Sequence, residues 1–413
     1  MYAFCNNFLW YLCITSRQNS SLDFFLCQKA SDNPYQNRQR LVKKDNWAKI
    51  TTTNQVPVMA ELHEKFCTFI WDIINNPELK ALSPSLVNPT PIQYASFLLS
   101  VVTCFIGLVG NVIVIAVTSF LMNKYKSKIW FLNLAVADFT FILFLPFNAV
   151  SVIQAHWPYG SYMCKCYNFF TFVNMYASIY ILVALSIDRA LSIAKPIWHM
   201  RFLSKKICYC VCTLIWITAT LSSIPAFVHS DVYDQDGYFQ CTLFYNDLSN
   251  FAYITSNMKV NGTEFNFTRE ECQEDIEDEN DYQLWNDMFS VTTGLLISQH
   301  VIGYFIPLSI ILLTNLVIAI KVKNSQSGPS SKLYSVVIAA IMAFFCSRTP
   351  LVIGQIIFLT SAHTLDLSLM YKAIMFLPIL SSIAATNSCL NPIIYVLIGN
   401  QVRSLICRVL KKL

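Results

Sequence analysis

Long unbroken runs of apolar residues fill the last three quarters of this 413-residue chain, separated by short polar connections. Seven runs can be read, at 94–122, 129–155, 162–193, 206–228, 290–320, 333–361 and 369–398. Each is near or above the ~20 residues that an α-helix needs to cross ~30 Å of hydrocarbon. The runs lack the alternation of barrel strands, so helices are predicted rather than a membrane β-barrel. The expected fold is an all-α membrane protein, a seven-transmembrane helix bundle over 94–398. A short cytoplasmic amphipathic helix over 399–413 is expected to complete it. No internal repeat is visible, which weakens a transporter built from duplicated halves.

Composition agrees. Hydrophobic residues make up 55% and charged residues 13%, with a mean hydropathy of +0.46, whereas soluble domains carry about 25% charged residues. The net charge of +5 acquires meaning only when mapped onto the connections. Lys124, Lys126 and Lys128 fall in the first, Lys195, Arg201 and Lys205 in the third, and Lys321, Lys323 and Lys332 in the fifth. Arg403, Arg408, Lys411 and Lys412 follow the seventh run. The second connection has no basic residue, and the long fourth, 229–289, holds fourteen acidic residues against Lys259 and Arg269. Basic connections stay in the cytoplasm, which predicts a multi-pass plasma-membrane protein with its amino terminus outside. Glycosylation sequons at Asn19, Asn261 and Asn266 fall on the predicted outer side. Residues 1–93 read as an extracellular tail. Of these, 1–58 read as an extension upstream of a start at Met59, the alternative being a disordered, partly basic arm.

Polar side chains inside apolar spans cost several kcal/mol and so carry information. Asp138 lies midway along the second run and Asn111 follows Gly110 in the first. Asn174 and Ser178 share a face of the third; Asn387, Asn391 and Tyr395 share a face of the seventh. One reading is a hydrogen-bonded network that glues the bundle. Another is a hydrated pocket in which Asp138 and neighbouring oxygens hold a small hard cation such as sodium. Asp188-Arg189 closes the cytoplasmic end of the third run as an acid–base pair or a snorkelling arginine. Cys164 and Cys241 both face the oxidising side and form a candidate disulfide. Cys407 is a candidate acylation site.

Gly110-Asn111, Leu134-Ala-Val-Ala-Asp138, Cys164, Asp188-Arg189, Trp216, Pro225, Pro307, Pro350 and Asn391-Pro-Ile-Ile-Tyr395 occur in an order and spacing that resemble the rhodopsin-like G-protein-coupled receptors. Other stretches resemble the chemoattractant branch, the chemerin, formyl-peptide and anaphylatoxin receptors: Trp130 to Phe139, His156-Trp-Pro-Tyr-Gly160, Asn174-Met-Tyr-Ala-Ser178, Lys195-Pro-Ile-Trp198 and Ala385 to Pro392. The resemblance implies a receptor for a chemoattractant peptide or small protein that couples to inhibitory G proteins in leukocyte chemotaxis and inflammation. It also implies a conformational switch at Asp188, Arg189 and Tyr395, with hinges at Pro307, Pro350 and Pro392. The alternative is a non-signalling decoy of the same fold.

Departures from the family pattern mark this chain. Arg348 stands where the family has a tryptophan in its sixth helix, and Asn315 replaces a tyrosine in the fifth. The pocket positions that carry charge in formyl-peptide and anaphylatoxin receptors fall on Phe172, Leu295, Gln299 and Leu377. A buried guanidinium should seek an anion, so Arg348 is expected to reach towards Asp138 and stand in for sodium; the alternative is a degenerate position in a weakened receptor. The acidic run 270–281 is a solvated charge block by default, or a field that steers a basic ligand. No nucleophile–base constellation, metal-spaced cluster or phosphate-binding glycine loop supports an enzyme. No cofactor is expected beyond a structural sodium ion at Asp138, and no nucleic-acid partner.

Overall fold

The computed structural model describes residues 68, 89–121, 128–235, 238–243, 292–323 and 332–398. Among them seven helical segments are long and apolar enough to cross a membrane: Pro91–Phe120, Lys128–Gln154, Gly160–Ala194, Lys205–His229, Thr292–Lys321, Ser335–Thr364 and Ser368–Tyr395. These are spans 1 to 7 below. Several expectations lie outside the described residues: the tail with Asn19, the acidic run with Asn261 and Asn266, Cys407, and the helix over 399–413.

Span 3 is the central post. Buried residues make up 61% of its most apolar window, against 28–44% in the other six. Its Ile179, Ile181 and Leu182 are fully buried among Trp130, Leu134, Phe344 and Tyr395. Conversely, Phe105, Phe120 and Leu313 are 72%, 78% and 63% exposed. An apolar exterior of that extent is unfavourable in water and favourable against lipid.

Two spans that read as continuous in sequence are broken in the structure. Span 2 stops at Ile142 and restarts at Leu145. Pro146 lacks the N–H that would bond to Ile142 and its ring crowds that carbonyl; the thiol of Cys104 in span 1 contacts the freed oxygen at 4.0 Å. Span 7 divides between Leu367–Ala385 and Asn387–Ile398. Here the Thr386 hydroxyl donates to the Ile383 carbonyl at 2.6 Å and the Cys389 thiol to the Thr386 carbonyl at 3.1 Å, local bonds that compete with the helical ladder. Span 5 contains a π-helical turn, Val301–Phe305, ahead of Pro307.

The same logic ties span 1 to span 7. Pro392 cannot donate to the Ser388 carbonyl, and Asn111 Nδ2 takes that oxygen at 2.8 Å while also donating to Gly107 at 2.9 Å. Gly110 permits this approach, since a Cβ there would lie 2.7 Å from the Pro392 ring. Nearer the other end, Ser382 meets Ser96 at 2.7 Å and Ser100 at 3.0 Å, three buried hydroxyls that seal the same seam.

A two-stranded hairpin, β1 (Asp231–Gln235) and β2 (Tyr238–Thr242), follows span 4, with Val232 opposite Cys241. A disulfide joins Cys164 at the start of span 3 to Cys241. Trp157 lies beneath the hairpin, 1% exposed, and its N–H donates to the Phe239 carbonyl at 2.6 Å. The indole donates to the Gly160 carbonyl at 3.0 Å.

Asn111→Ala tests the span 1–span 7 seam. It strands the Ser388 carbonyl in an apolar interior, so stability should fall by about 1–3 kcal/mol, read as a lower melting temperature of the purified protein. An unchanged melting temperature would contradict the role assigned to Asn111.

Candidate functional site

Asp138 is fully buried on span 2, and amides from two other spans meet it. Asn174 Nδ2 of span 3 donates to Oδ1 at 3.1 Å, and Asn391 Nδ2 of span 7 donates to Oδ2 at 2.8 Å. Of the polar residues singled out in sequence, Asp138, Asn174 and Asn391 are therefore joined directly. Around them Ser178 Oγ, Asn387 Oδ1 and Asn391 Oδ1 are buried without a hydrogen-bond partner. Three orphaned oxygens and a carboxylate are the ligand chemistry of a hard monovalent or divalent cation, so the residues fit the sodium expectation.

At one end of span 3, Asp188 is 4% exposed and accepts from Arg189 Nε at 2.9 Å and again from Arg189 Nη2. Its other oxygen pairs with His199 Nε2 at 2.9 Å. His199 belongs to the short helix Pro196–Phe202 and was not anticipated. Its signal was the proline-started turn eleven residues downstream, which folds back beneath span 3. Tyr395, grouped with this pair in sequence, instead packs edge-on against Phe131 with centroids 4.8 Å apart. Its hydroxyl is buried and lacks a partner among the described residues.

The opposite end of span 3 carries the disulfide and hairpin. Lys165 pairs with Asp231 at 3.1 Å. Partial burial tends to raise the Asp231 carboxyl, but hydrogen bonds from Ser161, the Val232 N–H and Lys165, together with the lysine charge, hold it below the usual carboxylate range.

Arg348 makes no direct contact with Asp138, although the two groups act on each other electrostatically through the interior. Among the described residues no carboxylate forms an ion pair with it, and each Asp138 oxygen accepts from an amide. The guanidinium instead lies 6.0 Å from the Phe344 ring centroid, 8% exposed, with Nε unpartnered. It lines a cavity of about 10 Å³ with Met175, Gln299, His300, Tyr304 and Gln355. Of the four pocket candidates only Gln299 lines this cavity; Leu295 and Leu377 are half-buried elsewhere and Phe172 packs beside Met175 and Tyr176. His300 and Gln355 escaped the sequence reading, although Gln299-His300 is a polar pair inside an apolar run and signals an interior contact. Asn315 donates to the Ile311 carbonyl at 2.8 Å. Pro307 and Pro350 sit within spans 5 and 6.

Seven apolar spans, with a disulfide-anchored hairpin at one end of the central helix and an acid–base pair at the other, form the frame of a membrane receptor. The family model described as 7 transmembrane receptor (rhodopsin family) matches residues 110–267 and 248–395, and the chain belongs to that family. Chemerin-like receptor 1 of Mus musculus is 30% identical over 301 residues, 73% of this chain and 74% of the relative. N-formyl peptide receptor 3 of Gorilla gorilla gorilla is 29% identical over 337 residues, covering 80% and 87%. The C3a anaphylatoxin chemotactic receptor of Oncorhynchus mykiss is 27% identical over 320 residues, 77% of each. The family is one of receptors rather than enzymes, and these relatives place the chain in its chemoattractant branch.

Because the Tyr395 hydroxyl is buried without a partner, Tyr395→Phe should leave thermal stability unchanged or raise it by about 1 kcal/mol. A clear drop in melting temperature would show that the hydroxyl is bonded in the resting protein.

Proposed function

We propose that the chain is a receptor for a basic peptide or small protein and that it signals through heterotrimeric G proteins of the inhibitory class. Its setting is leukocyte chemotaxis and inflammation. The observation that carries this reading is the double use of span 3. Cys164 tethers the hairpin at one end, and Asp188 holds Arg189 and His199 at the other. Twenty-four residues of helix separate them, ~36 Å at 1.5 Å per residue, about the depth of a bilayer. Ligand enters at the hairpin end, which faces outward with the amino terminus; the basic connections favour this orientation.

The Asp138 network lies between the two ends. Asp138, Ser178, Asn387 and Asn391 would hold a sodium ion, which would supply positive charge in contact with a carboxylate that otherwise has amide dipoles beside it and Arg348 at a distance. Pro307, Pro350 and Pro392 are points at which spans 5, 6 and 7 lack a backbone bond and bend more easily. Bending there opens the Asp188 end and releases Arg189 to a G-protein helix. Asn19, Asn261 and Asn266 carry glycans and Cys407 an acyl chain in this reading. The run 270–281 attracts the ligand over long range.

Cells expressing the receptor should lower cyclic AMP when screened with chemerin, formyl peptides or anaphylatoxins, and Arg189→Ala should abolish the response. Internalisation without any fall in cyclic AMP would favour the decoy reading instead. Once a ligand is in hand, neutralising the acidic residues of 270–281 should slow association by about 10-fold or more at low salt. An unchanged on-rate would remove the steering argument.

A further inference from the structure

The Arg348 cavity is unlike the rest of the interior. Around Asp138 the orphaned atoms are all oxygens, which suit a cation. Here, among the described residues, Arg348 Nε and Gln299 Oε1 lack partners, and His300 and Gln355, whose side chains interact with each other, line the same cavity. Arg348, Gln299 and His300 are 8%, 7% and 6% exposed. The ring of His300 is turned by its Nδ1, which donates to the Leu296 carbonyl at 2.5 Å. Tyr304 and Thr349 close one side through a 2.7 Å hydroxyl contact. Span 5 can come this close to span 3 because Gly303 has no side chain, a Cβ there falling 2.9 Å from Met175 Cε.

The cavity of about 10 Å³ has room for roughly one water-sized sphere. A single water would donate to two of the acceptors and accept from Arg348. That arrangement satisfies hydrogen bonds and leaves the guanidinium charge balanced only at a distance, by Asp138, with no anion in contact. A charge without a counterion in contact is the larger cost in an apolar interior. Asp138 does not meet it in contact, since its two oxygens face Asn174 and Asn391.

We propose that this cavity is a site for one small anion, of the size of chloride or formate, held by the Arg348 guanidinium. Gln299 now gives its Nε2 only to the Met175 sulfur at 3.5 Å, a weak bond, and turning that amide over presents N–H groups to the anion. Gln355 can do the same. The flexible Met175 side chain supplies the small extra volume that an ion larger than water requires. The shared chemistry is one negative charge on a compact acceptor. Its source is either a halide from the medium or the carboxylate tip of a ligand.

The test uses purified receptor in neutral-lipid nanodiscs at constant sodium and ionic strength, without any agonist, so it stands apart from the signalling screen. Chloride is replaced by gluconate, too bulky for the cavity, or by formate. The expected result is a melting temperature about 2 °C or more higher in the fitting anion than in gluconate. The gain should saturate with concentration and be lost in Arg348→Gln. Stabilisation by chloride alone assigns a halide site, by formate alone a carboxylate site, and by both a shared one. No difference between the three salts in the native protein would leave a water-filled cavity and overturn the proposal. An equal gain in Arg348→Gln would overturn it too, by locating the effect elsewhere. If Arg348→Gln does not fold, chloride-35 line broadening on the native receptor, reversed by formate, replaces it; absence of broadening by the receptor together with no formate effect overturns the assignment.

Discussion

Asp138 has no exposed surface in a bundle whose outside is hydrocarbon-facing, so its carboxylate depends on what the protein itself supplies. Asn174 and Asn391 supply it from opposite sides, and each lies on a different span. Holding one carboxylate therefore sets the rotation of spans 2, 3 and 7 about their own axes, because a turn of any one would strand a charge in an apolar interior. Span 1 joins the same core by a second route, through the Ser388 carbonyl that Pro392 leaves free and Asn111 takes up. Much of the remaining packing can be read as apolar infill around these polar joints.

The arrangement leaves span 3 to connect two chemically different ends. Its hairpin end is held by a covalent bond and by Trp157 beneath the strands. Its other end is held by an ionic and imidazole-bridged contact at Asp188, which can be exchanged. A covalent tether at one end and an exchangeable contact at the other suit a helix that transmits a change in one direction. Arg348 departs from this economy. It puts a cation into the wall between spans 5 and 6, where neighbouring Phe344, Phe345 and Tyr304 pack as aromatic rings. The polar side chains gathered around it, Gln299, His300 and Gln355, are the local response to that charge.

Much of the site was legible in sequence because buried polarity is expensive. Asp138, Asn174 and Asn391 stand out in apolar runs, and the structure joins them. Cys164 and Cys241 were paired by the side of the membrane on which both must lie. The His199 contact was not legible, since a histidine in a short connection looks like a surface residue until the turn starting at Pro196 brings it under Asp188. Arg348 and Asp138 act on each other electrostatically but do not touch, a distance that the sequence could not give. Sequence identified an acid at about the depth of Arg348, but not that amides from two other spans meet its oxygens. The breaks in spans 2 and 7 were hidden because hydropathy is blind to a missing N–H at Pro146 and to the local side-chain bonds of Thr386.

The number of spans, their limits to within a few residues and several of the costly interior groups, Asp138, Asn174, Asn391 and Arg348 among them, followed from the amino-acid sequence alone. Hydrocarbon makes its demand residue by residue, and each stretch either meets it or does not. Which polar atoms meet was decided only by the tertiary structure. Ser96 and Ser382 are 286 positions apart and touch at 2.7 Å, and Asp138 and Asn391 are 253 apart. Contacts of that kind depend on the rotation and tilt of whole helices, which are set jointly by all seven and are written in none of them singly.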